Sequence, residues 1–115
     1  MQYLLLIYGN ENAFANVPKE VASQTMGAYM AYTDAMRKAG VFVGSNRLRP
    51  TSEATTVRAS GGKNSVLNGP FAETKEQLAG YYLIDAPDLD AALSWAARCP
   101  ATQYGAIEVR PVWSM

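Results

Sequence analysis

The sequence predicts a single α+β domain built on an antiparallel sheet, and three observations predict it. The chain has 115 residues, about the length of one compact domain. Strand-like and helix-like segments follow in the order strand, long helix, hairpin, strand, helix, strand. The pair Gly61-Gly62 marks a tight hairpin, which speaks against a doubly wound parallel sheet. Two βαβ-like halves around such a sheet, with both helices on one face, form the ferredoxin-like pattern.

The first part of the chain supplies a strand and a long helix. Residues 2–8 form a strand-like run that is apolar or aromatic on both alternating sides from Tyr3 onward, which is typical of a central strand. Asn16 is placed as an N-cap, and Pro18 suits the first turn of a helix that runs to Gly40, its C′ glycine. The positions that recur at helical spacing, and are expected to pack on the sheet, are Ala22, Met26, Tyr29, Met30, Thr33 and Met36.

The second part supplies the hairpin, two more strands and a second helix. The hairpin strands lie within 51–60 and at 65–67, a turn covers 68–71, and the later strands are 78–85 and 107–113. Between these later strands, Asp88 can cap a helix with an apolar face, and Pro100 stops it. One domain over residues 1–115 accounts for the whole sequence.

Charge and composition exclude several function classes. The chain has ten Lys+Arg, ten Asp+Glu and no basic run, so DNA or RNA binding is disfavoured. A hydrophobic content of 49% with 17% charged residues is globular and argues against disorder. Histidine is absent, which excludes a Ser-His-Asp or Cys-His arrangement, a His-ligated zinc and an imidazole general base.

The single cysteine, Cys99, cannot close an intrachain disulfide, so the fold needs no oxidising compartment and a cytoplasmic protein is expected. We interpret Cys99 as a small buried residue near a helix end, with a reactive thiol as the alternative. The apolar run at the start falls far short of the roughly 18 to 20 residues that span a bilayer. Neither metal-ligand spacing nor a phosphate loop is present, so no metal and no cofactor are predicted.

The segment NGPFAETKEQLAGYYLIDAPDLDAALSWAARCP, followed by AIEVRPVW, resembles the DGPF-type (DGPFAETKE) proteins of the YCII-related superfamily. The opening QYLLLIYG and the stretch AGVFVGSNRLRP fit as well, so the resemblance covers nearly the whole chain. It implies a ferredoxin-like fold that pairs into a dimeric α/β barrel, and hence a homodimer. The family as a whole has no established reaction, and some members are encoded beside alternative sigma factors.

Two departures from the family pattern limit what the resemblance implies. The family motif begins with Asp where this chain has Asn68, which removes a general base or metal ligand but keeps hydrogen bonding that shapes a turn. In a better-known branch of the superfamily, a His and an Asp are the proposed catalytic pair. Tyr29 and Asp88 fall near those two positions. Tyrosine, with a usual pKa near ~10, is a poor base at neutral pH, so the His-Asp chemistry does not transfer.

The candidate catalytic residues are Asp88, Glu73 and Tyr29. Glu73 belongs to a charged cluster after the GPF turn, which is either a solvated segment or a loop that closes over a cleft. In the second case Glu73 supplies an acid or base and Lys75 an anion anchor. Asp88 is either a helix N-cap alone or also a carboxylate that points into the cleft.

The candidate ligand-binding residues are Arg110, Lys75, Asn68, Tyr82 and Glu108. Glu108 and Arg110 share a strand face, where they form a structural ion pair or leave the planar guanidinium to bind a carboxylate or phosphate. Tyr82 either lines an apolar pocket with its polar tip or is an ordinary barrel or interface residue.

Three function classes stay open at this point. The first is a small-molecule binding or sensing module with a cleft at the dimer interface, which takes a small anionic or aromatic ligand. The second is a cofactor-free enzyme, isomerase or oxygenase-like, that uses Asp88, Glu73 and Arg110. The third is a regulatory partner of a sigma-factor-type transcription system, which only the family's gene neighbourhoods suggest.

Overall fold

The computed structural model describes residues 1–114 and contains a four-stranded antiparallel sheet, a separate two-stranded hairpin and three α-helices. The strands are β1 (Gln2–Gly9), β2 (Phe42–Arg47), β3 (Thr55–Ser60), β4 (Lys63–Asn68), β5 (Gln77–Asp85) and β6 (Ala106–Pro111). The helices are α1 (Glu11–Ala15), α2 (Lys19–Lys38) and α3 (Leu89–Ala97). Short 3-10 turns lie at Thr51–Glu53 and Pro100–Gln103.

The larger sheet has the spatial order β2-β5-β1-β6, with every neighbouring pair antiparallel. Helix α2 connects β1 to β2, which have β5 between them, and α3 connects β5 to β6, which have β1 between them. This arrangement is consistent with the predicted ferredoxin-like fold, but the strand after the long helix is β2, in a stretch predicted only as a connection, and the predicted hairpin is not part of the sheet. Strands β3 and β4 form the separate hairpin, inserted between the two halves.

The chain between β1 and α2 corrects one sequence prediction. Asn10 accepts hydrogen bonds from the backbone N–H groups of Asn12 and Ala13, so a short helix, α1, starts directly after β1. Asn16 is therefore the C-cap of α1, and its prediction as the N-cap of the long helix is wrong. Helix α2 begins after Pro18 instead. At its other end Gly40 has φ +75°, which confirms it as the left-handed residue beyond the helix.

The predicted apolar face of α2 is confirmed only in part. Met36 is fully buried and Tyr29 and Thr33 are partly buried in the C-terminal half, whereas Met30 in the same half and Met26 in the N-terminal half are 67% and 59% exposed. Helix α2 has 20 residues and is about 30 Å long, while the six residues of β2 span only about 20 Å. The helix thus outruns the neighbouring strand, and most of its N-terminal half faces solvent.

The core lies between one face of the larger sheet and helices α2 and α3. The fully or nearly fully buried apolar residues of the strands and helices that form it are Tyr3, Leu5, Ile7, Tyr32, Met36, Tyr82, Ile84, Ala92 and Ala96. The Tyr32 hydroxyl donates to the Trp95 carbonyl at 2.7 Å and fastens α2 to α3. Both long helices therefore cover the same face of the sheet, as the sequence predicts.

The molecule is a thin slab of 48 × 44 × 19 Å. The short dimension matches one layer of helices, about 10 Å across, on one sheet. The radius of gyration of 16.1 Å exceeds the roughly 13 Å expected for a compact domain of this length, because the slab is broad in the plane of the sheet.

Candidate functional site

The face of the larger sheet opposite α2 and α3 carries a block of large side chains. Strand register places six of them there as cross-strand neighbours on β1 and β5, namely Leu4, Leu6, Tyr8, Leu78, Tyr81 and Leu83. Each is half-buried in the single chain. We call this surface, with the polar residues Asn46, Glu108 and Arg110 that share it, the helix-free face. Contiguous apolar surface of this kind makes the helix-free face a candidate binding or interaction site.

Polar side chains lie on the two edge strands of the helix-free face. On β2, Asn46 pairs with Tyr81, and its side-chain amide donates to the Tyr81 hydroxyl at 2.7 Å. On β6, Glu108 pairs with Leu6. The next residue on this face of β6, Arg110, pairs with Leu4. Amide, hydroxyl, carboxylate and guanidinium groups thus flank the leucines from both edges of the sheet.

Glu108 and Arg110 form the ion pair that the sequence offered as one alternative. The Arg110 Nε donates to Glu108 Oε2 at 2.9 Å, and a terminal guanidinium nitrogen contacts the same oxygen. Their side chains are 40% and 67% exposed. Such an exposed pair contributes at most about 1 kcal/mol. Most of the Arg110 side chain is exposed, and its ligand-binding role stays a prediction.

A cleft of about 460 Å³ lies where the hairpin joins the rest of the chain, and we call it the NGPF cleft. Its lining residues are Thr51, Ser52, Asn68, Gly69, Pro70, Ala72, Glu73, Thr74 and Gln77. Two of the predicted site residues, Asn68 and Glu73, therefore lie in one cleft. Lys75 is exposed nearby in sequence but does not line the cleft.

Hydrogen bonds between distant segments build the walls of the NGPF cleft. The Glu11 carboxylate accepts from the backbone N–H and from the hydroxyl of Thr51, each at 2.7 Å. The Glu11 N–H donates to Gln77 Oε1 at 3.0 Å, and Gln77 Nε2 donates to the Thr74 carbonyl at 2.7 Å. Sequence reasoning missed Glu11, Thr51 and Gln77, since their contacts join residues 40 and 66 positions apart.

Gly69 sets the shape of the NGPF turn. Its φ of +125° is a conformation that only glycine adopts without strain. Its N–H donates to the Ala54 carbonyl at 2.7 Å, and its own carbonyl accepts from the Thr56 hydroxyl at 2.8 Å. The turn therefore closes the base of the hairpin beside Asn68.

The NGPF cleft and the helix-free face both involve residues at the start of β5. Gln77 lines the cleft and is the first residue of β5. The next residue, Leu78, pairs with Tyr8 on the helix-free face.

Tyr29 and Tyr82 lie on the helix-covered side of the sheet. The Tyr29 hydroxyl is 3.0 Å from that of Tyr104, and burial, together with this contact, raises the pKa of Tyr29. The Tyr82 hydroxyl is 2.8 Å from that of Thr33, and burial raises the pKa of Tyr82 as well. Both phenols stay protonated at neutral pH, and the sheet separates them from Arg110.

Asp88 caps α3, where its carboxylate accepts from the Ala91 N–H at 2.8 Å. It follows the end of β5, whereas the NGPF cleft lies at the start of that strand. The nine residues of β5 span about 27 Å, so a single chain does not bring Asp88 together with Glu73. The N-cap function predicted for Asp88 is confirmed.

Cys99 is 2% exposed, and burial raises the pKa of its thiol. Among residues 1–114, no three side chains of the His, Cys, Asp and Glu types are grouped to hold a metal ion. No helix in the described part of the chain is both long and apolar enough to cross a membrane.

Comparison with known proteins gives a family and a fold. The model of the YCII-related domain matches residues 1–115. An uncharacterised protein of Rhizobium meliloti (strain 1021) is 41% identical over 116 residues, which cover 97% of this chain and 92% of that protein.

Among solved structures, the chain is similar to 5-chloro-2-hydroxyhydroquinone dehydrochlorinase from Burkholderia phenoliruptrix AC1100, in its complex with 2,5-dihydroxybenzoquinone. The TM-score is 0.56 at 15% identity, over 99% of this chain and 94% of that one. At this level of identity the likeness shows a shared fold.

Proposed function

The chain belongs to the YCII-related domain family, and on this premise we propose that it is a homodimeric small-molecule binding or sensing module. One observation carries the proposal, namely that the helix-free face combines a contiguous apolar surface with converging polar groups. Binding sites for small molecules have this composition. The NGPFAETKE segment favours the DGPF subtype of the family, and the single unpaired Cys99 favours a cytoplasmic location.

The apolar character of the helix-free face supports the proposed dimer. Four leucines and two tyrosines on one sheet face leave a soluble subunit with apolar surface in water. A second copy that packs face to face, about a two-fold axis, buries this surface in both subunits at once. The result is a dimeric α/β barrel with the binding cleft at the interface.

The ligand that fits this surface is a small anionic or aromatic compound. Arg110 offers a planar guanidinium for a carboxylate, phosphate or phenolate, and Asn46 with Tyr81 offers a hydrogen-bonding pair. The leucines supply an apolar surface on which an aromatic ring of the ligand can pack. The dihydroxybenzoquinone bound by the dehydrochlorinase of similar fold is such a compound, and it supports this ligand class by analogy of fold.

A cofactor-free enzyme is the second candidate, because Glu73 places a carboxylate in the NGPF cleft. Its test is turnover of a ligand found by screening, compared in wild type, Glu73→Gln and Asp88→Asn. Asparagine is as good an N-cap as aspartate, so Asp88→Asn should leave α3 intact. Turnover that both variants leave unchanged would contradict this candidate.

A thermal-shift screen against small anionic and aromatic compounds tests the binding proposal. A compound present at about 100 times its Kd should stabilise the folded state by about 2.7 kcal/mol. We expect such a shift for wild type but not for Arg110→Ala. Lys38→Ala is the matched control, since it removes one exposed positive charge from α2. Equal shifts in wild type and Arg110→Ala would place the site elsewhere, and a screen without any shift would count against a binding module.

A further inference from the structure

The NGPF cleft has the size of a small-molecule site. Its volume of about 460 Å³ lies in the range of roughly 300 to 1,000 Å³ that such sites have. Three segments line it, namely the 3-10 turn at Thr51–Glu53, the NGPF turn with the residues after it, and the start of β5. At Gly69 the lining is bare backbone, since a Cβ placed there would meet no atom within 4 Å. A ligand in the cleft can therefore approach main chain as well as side chains.

Some polar side chains that line the NGPF cleft are engaged within the chain. The Thr51 hydroxyl donates to the Glu11 carboxylate, and the Thr74 hydroxyl donates to the Glu76 carbonyl. The Gln77 amide accepts from the Glu11 N–H and donates to the Thr74 carbonyl. These three side chains therefore build the walls of the cleft.

Three other side chains of the lining offer a hydroxyl, an amide and a carboxylate. Ser52 lies in the 3-10 turn, Asn68 ends β4, and Glu73 follows the NGPF turn. Within the described residues 1–114, no hydrogen bond or ion pair engages the side chains of these three residues. The hydroxyl and the amide can each donate and accept, while the carboxylate only accepts. The three groups therefore match a ligand that carries several hydroxyl or amine groups.

The charge of the cleft is negative. Among the described residues that line it, only Glu73 is charged. The Glu11 carboxylate, bonded to Thr51, adds a second negative charge in the wall. Of the basic residues nearby in sequence, Arg49 pairs with Glu53, and Lys75 lies outside the lining. The local field of the cleft therefore favours a cation over an anion.

We propose that the NGPF cleft is a second ligand site, distinct from the helix-free face, that takes a small polyhydroxylated ammonium compound such as an amino sugar. The Glu73 carboxylate accepts from the ammonium group, and Ser52 and Asn68 exchange hydrogen bonds with the hydroxyls. The site lies within one chain and does not depend on the homodimer. Its ligand carries the opposite charge to the anionic ligand proposed for the helix-free face.

Three sugars of similar size test the charge of the ligand. Glucosamine, glucose and glucuronate are cationic, neutral and anionic, respectively, just below neutral pH. Each is titrated into isotope-labelled protein, and the NMR shift of the Gly69 amide signal gives its Kd. We expect the Kd of glucosamine to be about fivefold lower than that of glucose, the upper range for one exposed ion pair, and to rise with salt. Glucuronate should bind more weakly than glucose.

Two substitutions change the charge of the cleft in opposite directions. Glu73→Gln removes a negative charge and Asn68→Asp adds one, each with almost no change of size. Both side chains are exposed, so the fold should persist, and the NMR spectrum of each variant checks this. We expect glucosamine to bind about fivefold more weakly to Glu73→Gln and about fivefold more tightly to Asn68→Asp.

Lys75→Gln is the matched control for the charge. It changes the net charge by the same amount as Asn68→Asp, at an exposed position outside the lining. The Kd of glucosamine for this variant should stay within about twofold of wild type, because salt screens an exposed charge beyond the cleft. Glucose, which carries no charge, should bind to all the variants with nearly the same Kd.

Four outcomes would overturn the proposal. The first is a Gly69 signal that none of the three sugars moves. The second is equal binding of glucosamine and glucose in wild type and in both charge variants. A preference for glucuronate is the third, since it would make the cleft an anion site. The fourth is a gain in Lys75→Gln as large as that in Asn68→Asp, which would trace the effect to the net charge of the chain. None of these results bears on Arg110 and the helix-free face, which the thermal-shift screen tests.

Discussion

The carboxylate of Glu11 accepts two hydrogen bonds from Thr51, one from the backbone N–H and one from the hydroxyl, both at 2.7 Å. Glu11 is the first residue of α1, and Thr51 begins the 3-10 turn that leads to the hairpin. Because Thr51 lines the NGPF cleft, this contact fixes one wall of the cleft against the end of β1. Glu11 therefore helps to position a wall of the NGPF cleft, although it lies outside the NGPF motif.

We expect Glu11→Ala to lower the free energy of unfolding by about 2 kcal/mol, since hydrogen bonds to a charged group contribute about 1.5 to 3 kcal/mol. Glu11→Gln keeps one good acceptor and should cost about half as much. Urea unfolding measures the change in the free energy of unfolding for both variants. The control is Glu76→Ala at an exposed position, which should stay within about 0.5 kcal/mol of wild type. A Glu11→Ala loss no larger than that of the control would contradict the assignment.

Two methionines of α2 allow a matched test of which half of the helix packs on the sheet. Met36 is fully buried, and Met36→Ala should cost about 2 to 5 kcal/mol through the cavity it leaves. Met26, in the N-terminal half, is 59% exposed, and Met26→Ala should change stability by about 0.5 kcal/mol or less. Denaturant unfolding of the two variants gives the comparison, and similar losses would mean that the helix is buried along its whole length.

Three of the seven tyrosines should ionise late in an alkaline titration, since burial raises the pKa of Tyr29, Tyr32 and Tyr82. Their pKa in the folded chain lies above the unfolded value of about 10, so the stability they contribute is fully present below about pH 10 and is lost as the pH rises beyond it. Tyrosinate absorbance, followed together with circular dichroism, measures this. Seven tyrosines that titrate together in a native chain would refute it.

The Cys99 thiol should react slowly with thiol reagents in the folded protein, because it is 2% exposed and burial raises its pKa. Labelling with a chromogenic disulfide should become fast only after denaturant unfolds the chain. Ser60→Cys, at the exposed end of β3, is the reference for an accessible thiol. Rapid stoichiometric labelling of Cys99 in the native wild type would revive the alternative of a reactive cysteine.

Sequence reasoning succeeded where the signal is local. The cap at Asp88 and the left-handed Gly40 depend on contacts within a few residues, and both were predicted. The face of α2 was only partly predicted, because periodicity identifies a stripe along the helix but cannot tell how far the sheet extends beneath it. The prediction of Asn16 as the N-cap of the long helix failed for a related reason. The Asn10 cap starts a short helix, and Asn16 lies at the end of that helix.

The candidate site shows the same difference between local contacts, which the sequence predicts, and long-range contacts, which it does not. Asn68 and Glu73 lie five positions apart in sequence and share the NGPF cleft. The contacts of Glu11 join segments 40 and 66 positions apart, which no local pattern reveals. The division of polar residues between the two sides of the sheet, with Arg110 on one and Tyr82 on the other, depends on which side the helices cover.

The central place of β1 in the sheet has a consequence for synthesis of the chain. Both of its neighbours, β5 and β6, come from the last 39 residues, so β1 is not paired on both sides until residues 77–111 have left the ribosome. At an elongation rate of about 5 to 20 residues per second, this delay is on the order of 5 to 20 seconds. Such non-local pairing is also slow in itself. The first strand made is therefore among the last to be covered, and the speed of translation sets how long its leucines stay in water.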